Sequence, residues 1–533
     1  MNKHIKILTS LLTILVIISL TACKSPEAEQ KESQLNQQST EIDNKKQSDE
    51  SDTLRLSITN PSTLNPLTNM DLSIDQVLRL SFDSLFVIDK QQKPVPKMVK
   101  SYEFNADNSS ITLVLKDGLK FTNNEAITSA DVVFSINQIK SAKASIYKEC
   151  TNNIQRAVAV DDKTVKLYLK RPSILTLYNL YFPIVSQKNF LSADFNSFLP
   201  IGSGAYKINE FTSMKTMKMT LNENAMANYN IKSIDITITR DSESEANALK
   251  QNLIDMSFPI KFDWNSFSED ANKKCLTYTT NNLEIMGYNF SNDKLKNPHI
   301  RIALAKAINR KEMSSKLLVG KAIVTDRPIH PESWLKPKEK EAQIDYDKAA
   351  ARKAIELMSF ADTDNDGLYD DFSLKLLLSN DNSLRVKQAE MIKDYLNQIG
   401  IKVEIISAGK EDFNAKLAKG DYDLYLTGWK LSAVPDFSSI LHSGQIKNGE
   451  NYISYSNKEM DSVLTNIITS KDDIELYNNV QQFYALYDTE LPYLPIYFIQ
   501  SAVITNKDVK GKLEPDSFNL LNGIEEITIQ KAD

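Results

Sequence analysis

Alternating apolar and polar residues predict β-strands at several places, because successive side chains of a strand point to opposite faces of its sheet. The clearest of these stretches cover 54–58, 111–115, 165–169, 234–238 and 401–405. The apolar positions in each stretch are mostly Val, Ile and Leu, which favour strands. We therefore expect these five segments to form half-buried strands.

A second pattern, with apolar residues three and four positions apart, predicts helices that bury one face. The segments that show it are 301–310, 349–358, 384–399, 460–468 and 474–487. A further helix is expected just after Thr128 and Ser129, which can cap its N-terminus. Gly400 is expected to end the helix over 384–399 directly before a strand. Strands and helices alternate throughout, so we predict an α/β protein with mixed sheets.

The composition is that of a folded globular protein and excludes several classes of function. The chain has 533 residues, of which 41% are hydrophobic and 25% charged, enough for two to four domains. A net charge of −6 provides no basic field for nucleic acid. The four histidines never fall within five residues of one another, which excludes paired zinc-ligand motifs. No nucleophile–base motif is present, so we expect no catalytic residues, no metal and no cofactor.

The N-terminus resembles a bacterial export signal. Lys3 and Lys6 precede an apolar stretch over 7–20, which is too short for a comfortable membrane span. Residues 1–22 are thus predicted to be a lipoprotein signal peptide, because the sequence LTAC at 20–23 looks like a lipobox that would leave Cys23 acylated. A plain signal peptide with a chance cysteine is the alternative. Residues 23–52 would then be the lipidated cysteine and a polar, flexible tether on the extracytoplasmic face of the membrane.

Two further features raise alternatives. Cys150 and Cys275 are far apart in the sequence and are expected to be buried free thiols, with a disulfide as the alternative. The aspartates at 362, 364, 366 and 370 fit the beginning of a calcium loop. Ser373 stands where such a loop has its bidentate glutamate, so we expect a surface turn and keep bound Ca²⁺ as the alternative.

A series of short motifs runs in order between Thr53 and Asp533. These motifs are LNPL at 64–67, DSLF at 83–86, KPVP at 93–96, LKDGLKF at 115–121, ITSADVVFS at 127–135, PIGSGAY at 200–206, YNF at 288–290, NPHIR at 297–301, INR at 308–310, YDL at 422–424, GW at 428–429 and LPIY at 494–497. Together they resemble the family 5 extracellular solute-binding proteins, the oligopeptide- and dipeptide-binding lipoproteins of ABC importers.

The resemblance implies a periplasmic-binding-protein-like two-lobe fold of class II, cluster C, with an extra third segment and a hinge. Lobe 1 would combine 53–70, 195–283 and 493–533, the additional segment would be 71–194, and lobe 2 would be 284–492. It further implies a monomeric, non-enzymatic receptor that captures peptides and delivers them to membrane permease subunits of an ABC transporter. The alternatives are a non-peptide solute (nickel chelate, haem or oligosaccharide) and a role as a signalling-peptide receptor.

The resemblance also suggests ligand contacts. The candidate residues are Asn65, Tyr288, Asn289, Trp429, Lys430, Leu431, Ser432, Asp436 and Tyr497. In relatives, the stretch that begins at Gly428 and Trp429 is an edge with which the ligand pairs as an added strand; a core role for Trp429 is the alternative. Many peptide-binding relatives carry an aspartate three residues after this tryptophan, which accepts the ligand's α-ammonium group.

This chain has Ser432 at that position. The departure favours an N-blocked or special peptide, or a non-peptide solute. Asp436 could replace the missing carboxylate if the loop adopts a different register.

Overall fold

The computed structural model describes residues 52–191, 199–258, 264–337, 344–447 and 449–530. The predicted signal peptide, Cys23 and all but the last residue of the predicted tether lie outside the described residues. Among the helices in the described ranges, none combines the length and the apolar character that a membrane span requires.

Strands and helices alternate along the chain. Up to residue 258 they are β1 (Thr53–Thr59), α1 (Leu72–Ser81), β2 (Phe86–Ile88), β3 (Pro94–Pro96), β4 (Val99–Phe104), β5 (Ser110–Leu115), α2 (Ser129–Ser141), β6 (Ile154–Ala159), β7 (Thr164–Leu169), α3 (Gln187–Leu191), β8 (Tyr206–Thr212), β9 (Thr216–Leu221), β10 (Ser233–Thr239), α4 (Ser242–Lys250) and β11 (Met256–Ser257).

From residue 264 onward they are β12 (Lys273–Tyr288), α5 (Pro298–Ala307), α6 (Arg310–Leu318), β13 (Ala322–Val324), α7 (Lys348–Glu356), β14 (Ser373–Ser379), α8 (Ser383–Asn397), β15 (Lys402–Ala408), α9 (Lys410–Lys419), β16 (Leu424–Lys430), α10 (Ser438–Leu441), α11 (Lys458–Ile468), α12 (Asp473–Glu490), β17 (Tyr493–Asn506), β18 (Val509–Lys510) and β19 (Thr528–Ile529).

The elements predicted from periodicity are confirmed. The five predicted strands correspond to β1, β5, β7, β10 and β15, and the six predicted helices to α2, α5, α7, α8, α11 and α12. At the start of α2, the Asp131 carboxylate accepts hydrogen bonds from the backbone N–H (2.8 Å) and the hydroxyl (2.9 Å) of Thr128. Gly400 follows α8 and has a φ of +89°, a left-handed conformation that suits glycine. As predicted, it stands between the end of this helix and the next strand.

Two four-stranded sheets form the cores of the N-terminal half. The first has the order β1-β10-β9-β8, in which β1 runs parallel to β10 from Thr53↔Ser233 to Thr59↔Thr239. The second is antiparallel, has the order β4-β5-β7-β6 and is built entirely from residues 99–169. The first sheet therefore joins the start of the described chain to strands that follow more than 140 residues later.

A seven-stranded mixed sheet connects the remaining elements. Its order is β11-β17-β12-β16-β14-β15, with β13 paired to the outer side of β17. The long strands β12 and β17 pair antiparallel from Lys273↔Asn506 to Gly287↔Tyr493, with register shifts between Thr279 and Leu283 and between Glu284 and Ile285. The boundary predicted between residues 283 and 284 thus lies inside the continuous strand β12.

Candidate functional site

A cavity of about 1150 Å³ lies between two parts of the described chain. One wall comes mainly from residues between 146 and 181 that lie on two short 3₁₀ turns, Lys148–Thr151 and Ile174–Asn179, and in the segments next to strands β6 and β7. The other wall comes from residues 328–335 and 428–450. Pockets for drug-sized ligands usually have roughly 300–1,000 Å³, so this cavity has room for a larger ligand.

Strand β16 runs from the core of the seven-stranded sheet into the cavity. Its first three residues are buried, the next three are half-buried and Lys430 is exposed. β12 pairs with it along its whole length, from Tyr288↔Leu424 to Asn282↔Lys430, whereas β14 pairs with only Leu424 and Tyr425. No other described strand pairs with residues 426–430 on the β14 side. We call this side the β16 edge; of its five residues, 428–430 line the cavity.

An ion pair lies directly behind the β16 edge. Glu284 on β12 is 4% exposed, and its two carboxylate oxygens accept hydrogen bonds from Nε (2.8 Å) and Nη2 (3.0 Å) of Arg385 on α8. A Cβ atom at position 428 would lie 2.3 Å from Arg385 Nη2 and 2.8 Å from Glu284 Oε1. Position 428 is therefore a glycine because the ion pair occupies the space of a side chain.

Trp429 follows this glycine and lines the cavity while remaining half-buried. Its ring packs edge-to-face on Tyr493, with 4.7 Å between ring centroids and 76° between ring planes. Tyr493 belongs to β17 and is fully buried. Trp429 thus has a packing role on one side and faces the cavity with the other.

The residues after Trp429 also line the cavity: Lys430, Leu431, Ser432 and Asp436. The Leu431 N–H donates to Asn281 O at 2.9 Å, which continues the pairing with β12. The Ser432 hydroxyl donates to Val434 O at 3.1 Å, and the Asp436 carboxylate accepts from the Ser438 N–H at 2.9 Å. Five of the nine candidate ligand residues are therefore brought together in one wall.

The other four candidates, Asn65, Tyr288, Asn289 and Tyr497, are buried and are absent from the described lining of the cavity. Their polar atoms bond within the protein: Asn65 accepts from Leu67 N (3.0 Å), Tyr288 donates to Arg301 O (3.3 Å), Asn289 donates to Gly420 O (3.2 Å) and Tyr422 O (2.7 Å), and Tyr497 accepts from Gln388 Nε2 (2.5 Å). These contacts give the four side chains a structural role, and their assignment as ligand contacts stays a prediction without support from the cavity.

Much of the cavity lining belongs to no motif. The charged and titratable members are Glu149, Cys150, Lys170, Arg171, Tyr181, His330 and Glu450. His330 is 3% exposed, accepts from the Glu332 N–H at Nδ1 (3.2 Å) and donates from Nε2 to Thr279 O (3.1 Å). Burial lowers the pKa of His330 to about 4, so this imidazole is neutral at physiological pH.

Two cysteines and a cluster of three aspartates lie within the described residues. Cys150 and Cys275 are free thiols, as predicted; the predicted burial is confirmed for Cys150, whereas Cys275 is only half-buried. Burial raises the pKa of Cys150 to about 12. Carboxylate oxygens of Asp362, Asp364 and Asp366 lie within 4.8 Å of one another, and all three carboxylates accept backbone N–H bonds within their own turn. The surface turn and the calcium loop both remain predictions.

The sequence matches a known protein family. The family model of the bacterial extracellular solute-binding proteins, family 5 middle part, matches residues 93–451. The chain belongs to this family.

Family 5 relatives cover most of the chain. The oligopeptide-binding protein AppA of Bacillus subtilis is 24% identical over 87% of this chain and 90% of AppA. Among solved structures, the periplasmic murein tripeptide-binding protein MppA in its unliganded open form has a TM-score of 0.80 at 17% identity, covering 91% of this chain and 98% of MppA. NikZ of Campylobacter jejuni, solved with Ni(L-His), has a TM-score of 0.66 at 22% identity, covering 90% and 99%.

These likenesses confirm the predicted periplasmic-binding-protein fold of a family 5 solute-binding protein. Two of these matched proteins are named as peptide-binding proteins, and the third was solved with a nickel chelate.

Proposed function

We propose that this family 5 protein captures a peptide or peptide-like solute in the 1150 Å³ cavity and delivers it to the permease of an ABC importer. In this role it binds its ligand and catalyses no reaction. The observation that carries the proposal is the β16 edge, whose unpaired backbone groups open onto the cavity beside Trp429. An extended peptide can add to such an edge as a further strand, whatever its side chains are.

The energetics require both walls of the cavity. Because every second residue of a strand faces one edge, the three residues of the β16 edge that line the cavity, 428–430, can exchange about two to four hydrogen bonds with a ligand. At roughly 0.5–1.5 kcal/mol each, these bonds supply about 1–6 kcal/mol, and a Kd of 1 μM needs about 8 kcal/mol. Contacts from the wall at 146–181 would supply the remainder and account for a cavity enclosed from two sides.

The proposal includes closure of two lobes about a hinge. Lobe 1 would combine 53–70, 195–283 and 493–533 with the additional segment 71–194, and lobe 2 would be 284–492. The continuous strands β12 and β17 support this arrangement, because β17 pairs with β11 at one end of their ladder and β12 pairs with β16 at the other. Their register shifts between Thr279 and Leu283 and again between Glu284 and Ile285. An irregular ladder is a suitable place for a hinge, since fewer hydrogen bonds resist bending there.

We also propose that acylated Cys23 anchors the protein to the extracytoplasmic face of the membrane through residues 23–52. Metabolic labelling with a palmitate analogue tests this part. The wild-type chain should be labelled and recovered with membranes, and Cys23→Ala should lose the label. Labelling that persists in Cys23→Ala would contradict the anchor without affecting the proposed capture of a solute.

Native mass spectrometry of the purified protein tests the proposed function. We expect a heterogeneous set of co-purified masses that fragment as peptides. Trp429→Ala, purified in the same way, should retain fewer of them, because Trp429 lines the cavity beside the β16 edge. A single discrete adduct such as a nickel chelate, haem or an oligosaccharide would overturn the peptide assignment and leave the receptor role intact.

A further inference from the structure

Lys430 is a cavity-lining cation whose charge has no counter-ion in the described part of the protein. It is the last residue of β16 and directly follows Trp429. An ammonium group offers three hydrogen-bond donors, yet no described carboxylate forms an ion pair with it. The cavity walls remove water from part of its side chain and lower the pKa of Lys430. A charge that is partly desolvated and unpaired costs free energy, so a ligand anion would stabilise it.

The charges that act on Lys430 from helix α1 do not neutralise it. They belong to Asp75 and Arg79. The Asp75 carboxylate is 3% exposed and accepts hydrogen bonds from Arg79 Nε at 2.8 Å and from the Tyr147 hydroxyl at 2.5 Å. Arg79 lies over the ring of Tyr181, a cavity-lining residue, at 5.7 Å. The Asp75 carboxylate is therefore hydrogen-bonded to Arg79 and Tyr147. The Arg79 guanidinium adds positive charge behind the wall that contains Tyr181.

The acidic and basic residues that line the cavity are equal in number, so the charge beside the β16 edge depends on where each of them lies. Three acids line it, Glu149, Asp436 and Glu450, and three bases, Lys170, Arg171 and Lys430. Of these six, only Lys430 lies on β16 itself, where an added strand would run. Ser432, two residues further on, carries no charge. The charge next to the β16 edge is thus positive.

We propose that Lys430 binds a carboxylate of the ligand and selects peptides or peptide-like solutes that carry an acidic group beside the β16 edge over neutral ones. This assignment rests on the proposed function, whose site it specifies.

Calorimetric titration with matched peptides tests the assignment. The probes are N-acetylated tri-, tetra- and penta-alanine, each with a free C-terminal carboxylate or as the carboxamide. A charge-assisted hydrogen bond predicts that the wild-type protein binds the acids about 10- to 150-fold more tightly than the amides. Lys430→Met, which keeps most of the aliphatic stem, should bind both forms equally. Lys430→Arg should restore the preference for the acid. Lys170→Met, which removes another cavity cation, should keep the full preference.

The outcomes separate this assignment from the proposed function. Equal binding of acids and amides to the wild type, or an undiminished preference in Lys430→Met, would overturn the role of Lys430 while the protein remains a peptide receptor. Loss of the preference in Lys170→Met but not in Lys430→Met would overturn it as well, in favour of Lys170. Failure of acids and amides alike to bind the wild type, together with no peptide among its co-purified masses, would overturn the peptide function and the assignment with it.

Discussion

Removing one partner of the ion pair between Glu284 and Arg385 is expected to destabilise the protein strongly, although replacing both partners together should cost little. Glu284 is 4% exposed and receives both of its hydrogen bonds from Arg385, whose side chain is 19% exposed. Removing one partner of a buried pair costs about 3–5 kcal/mol because the other charge is left unpaired. Since Arg385 is partly accessible to water, we expect Arg385→Met to lower the free energy of unfolding by about 3 kcal/mol.

A double-mutant cycle measures this effect. Arg385→Met, Glu284→Gln and the double variant are unfolded in urea and followed by circular dichroism and tryptophan fluorescence. The double variant leaves no buried charge without a partner, so it should be no less stable than Arg385→Met. The resulting coupling energy should exceed about 1.5 kcal/mol.

An exposed ion pair provides the matched control. Arg352 and Glu356 lie four residues apart on α7, with side chains 51% and 53% exposed. Such a pair contributes about 0.3–0.5 kcal/mol, so Arg352→Met and Glu356→Gln should show small effects and a small coupling. Additive effects at Glu284 and Arg385, within about 0.5 kcal/mol, would refute the reasoning, because the two residues would then not depend on one another.

Three further predictions concern the cavity. His330 is neutral in the folded protein with a pKa of about 4, below its ordinary 6.5. As the pH falls, the unfolded chain therefore binds the proton first, and the free energy of unfolding of the wild type should decrease relative to that of His330→Gln by about 3 kcal/mol between pH 7 and pH 4 in urea unfolding. Parallel pH profiles of the two proteins would contradict this. Trp429→Phe should remove most of the fluorescence change on peptide binding, whereas Trp264→Phe should keep it, because only Trp429 of these two lines the cavity. Ser432→Asp should tighten binding of free-amino peptides by about 10- to 150-fold in calorimetry; unchanged affinity would place position 432 away from the ligand.

Local structure was predictable where one face of an element is buried, because periodicity records that burial. The ends were less predictable, as the helix predicted over 301–310 illustrates. It begins at Pro298, after Asn297 accepts a hydrogen bond from the His299 N–H, and it ends at Ala307. A separate helix then begins at Arg310, capped by the side chain of Asn309. The apolar pattern continues across this break, and only the two asparagines signal it.

The residues that line the cavity were predictable only in part. Residues 428–436 carry a family motif on a single strand and its following loop, so their neighbourhood follows from the sequence order. Arg171 and His330 reach the same cavity through the packing of distant segments, which no local pattern records. Asn289 illustrates the opposite case: it lies in a motif because its amide holds the carbonyls of Gly420 and Tyr422, a structural role that resembles a binding role in the sequence.

The pairing of β12 with β16 has a mechanical consequence. Seven consecutive residue pairs, from Asn282↔Lys430 to Tyr288↔Leu424, join the two strands, and the first of two irregularities in the β12–β17 ladder lies at the start of this segment, between Thr279 and Leu283. If the sheet bends at that irregularity, Trp429 and Lys430 would move together as parts of one rigid unit. Engineering that stiffens the irregularity should therefore slow the entry and exit of a solute without altering the chemistry of the surface that recognises it.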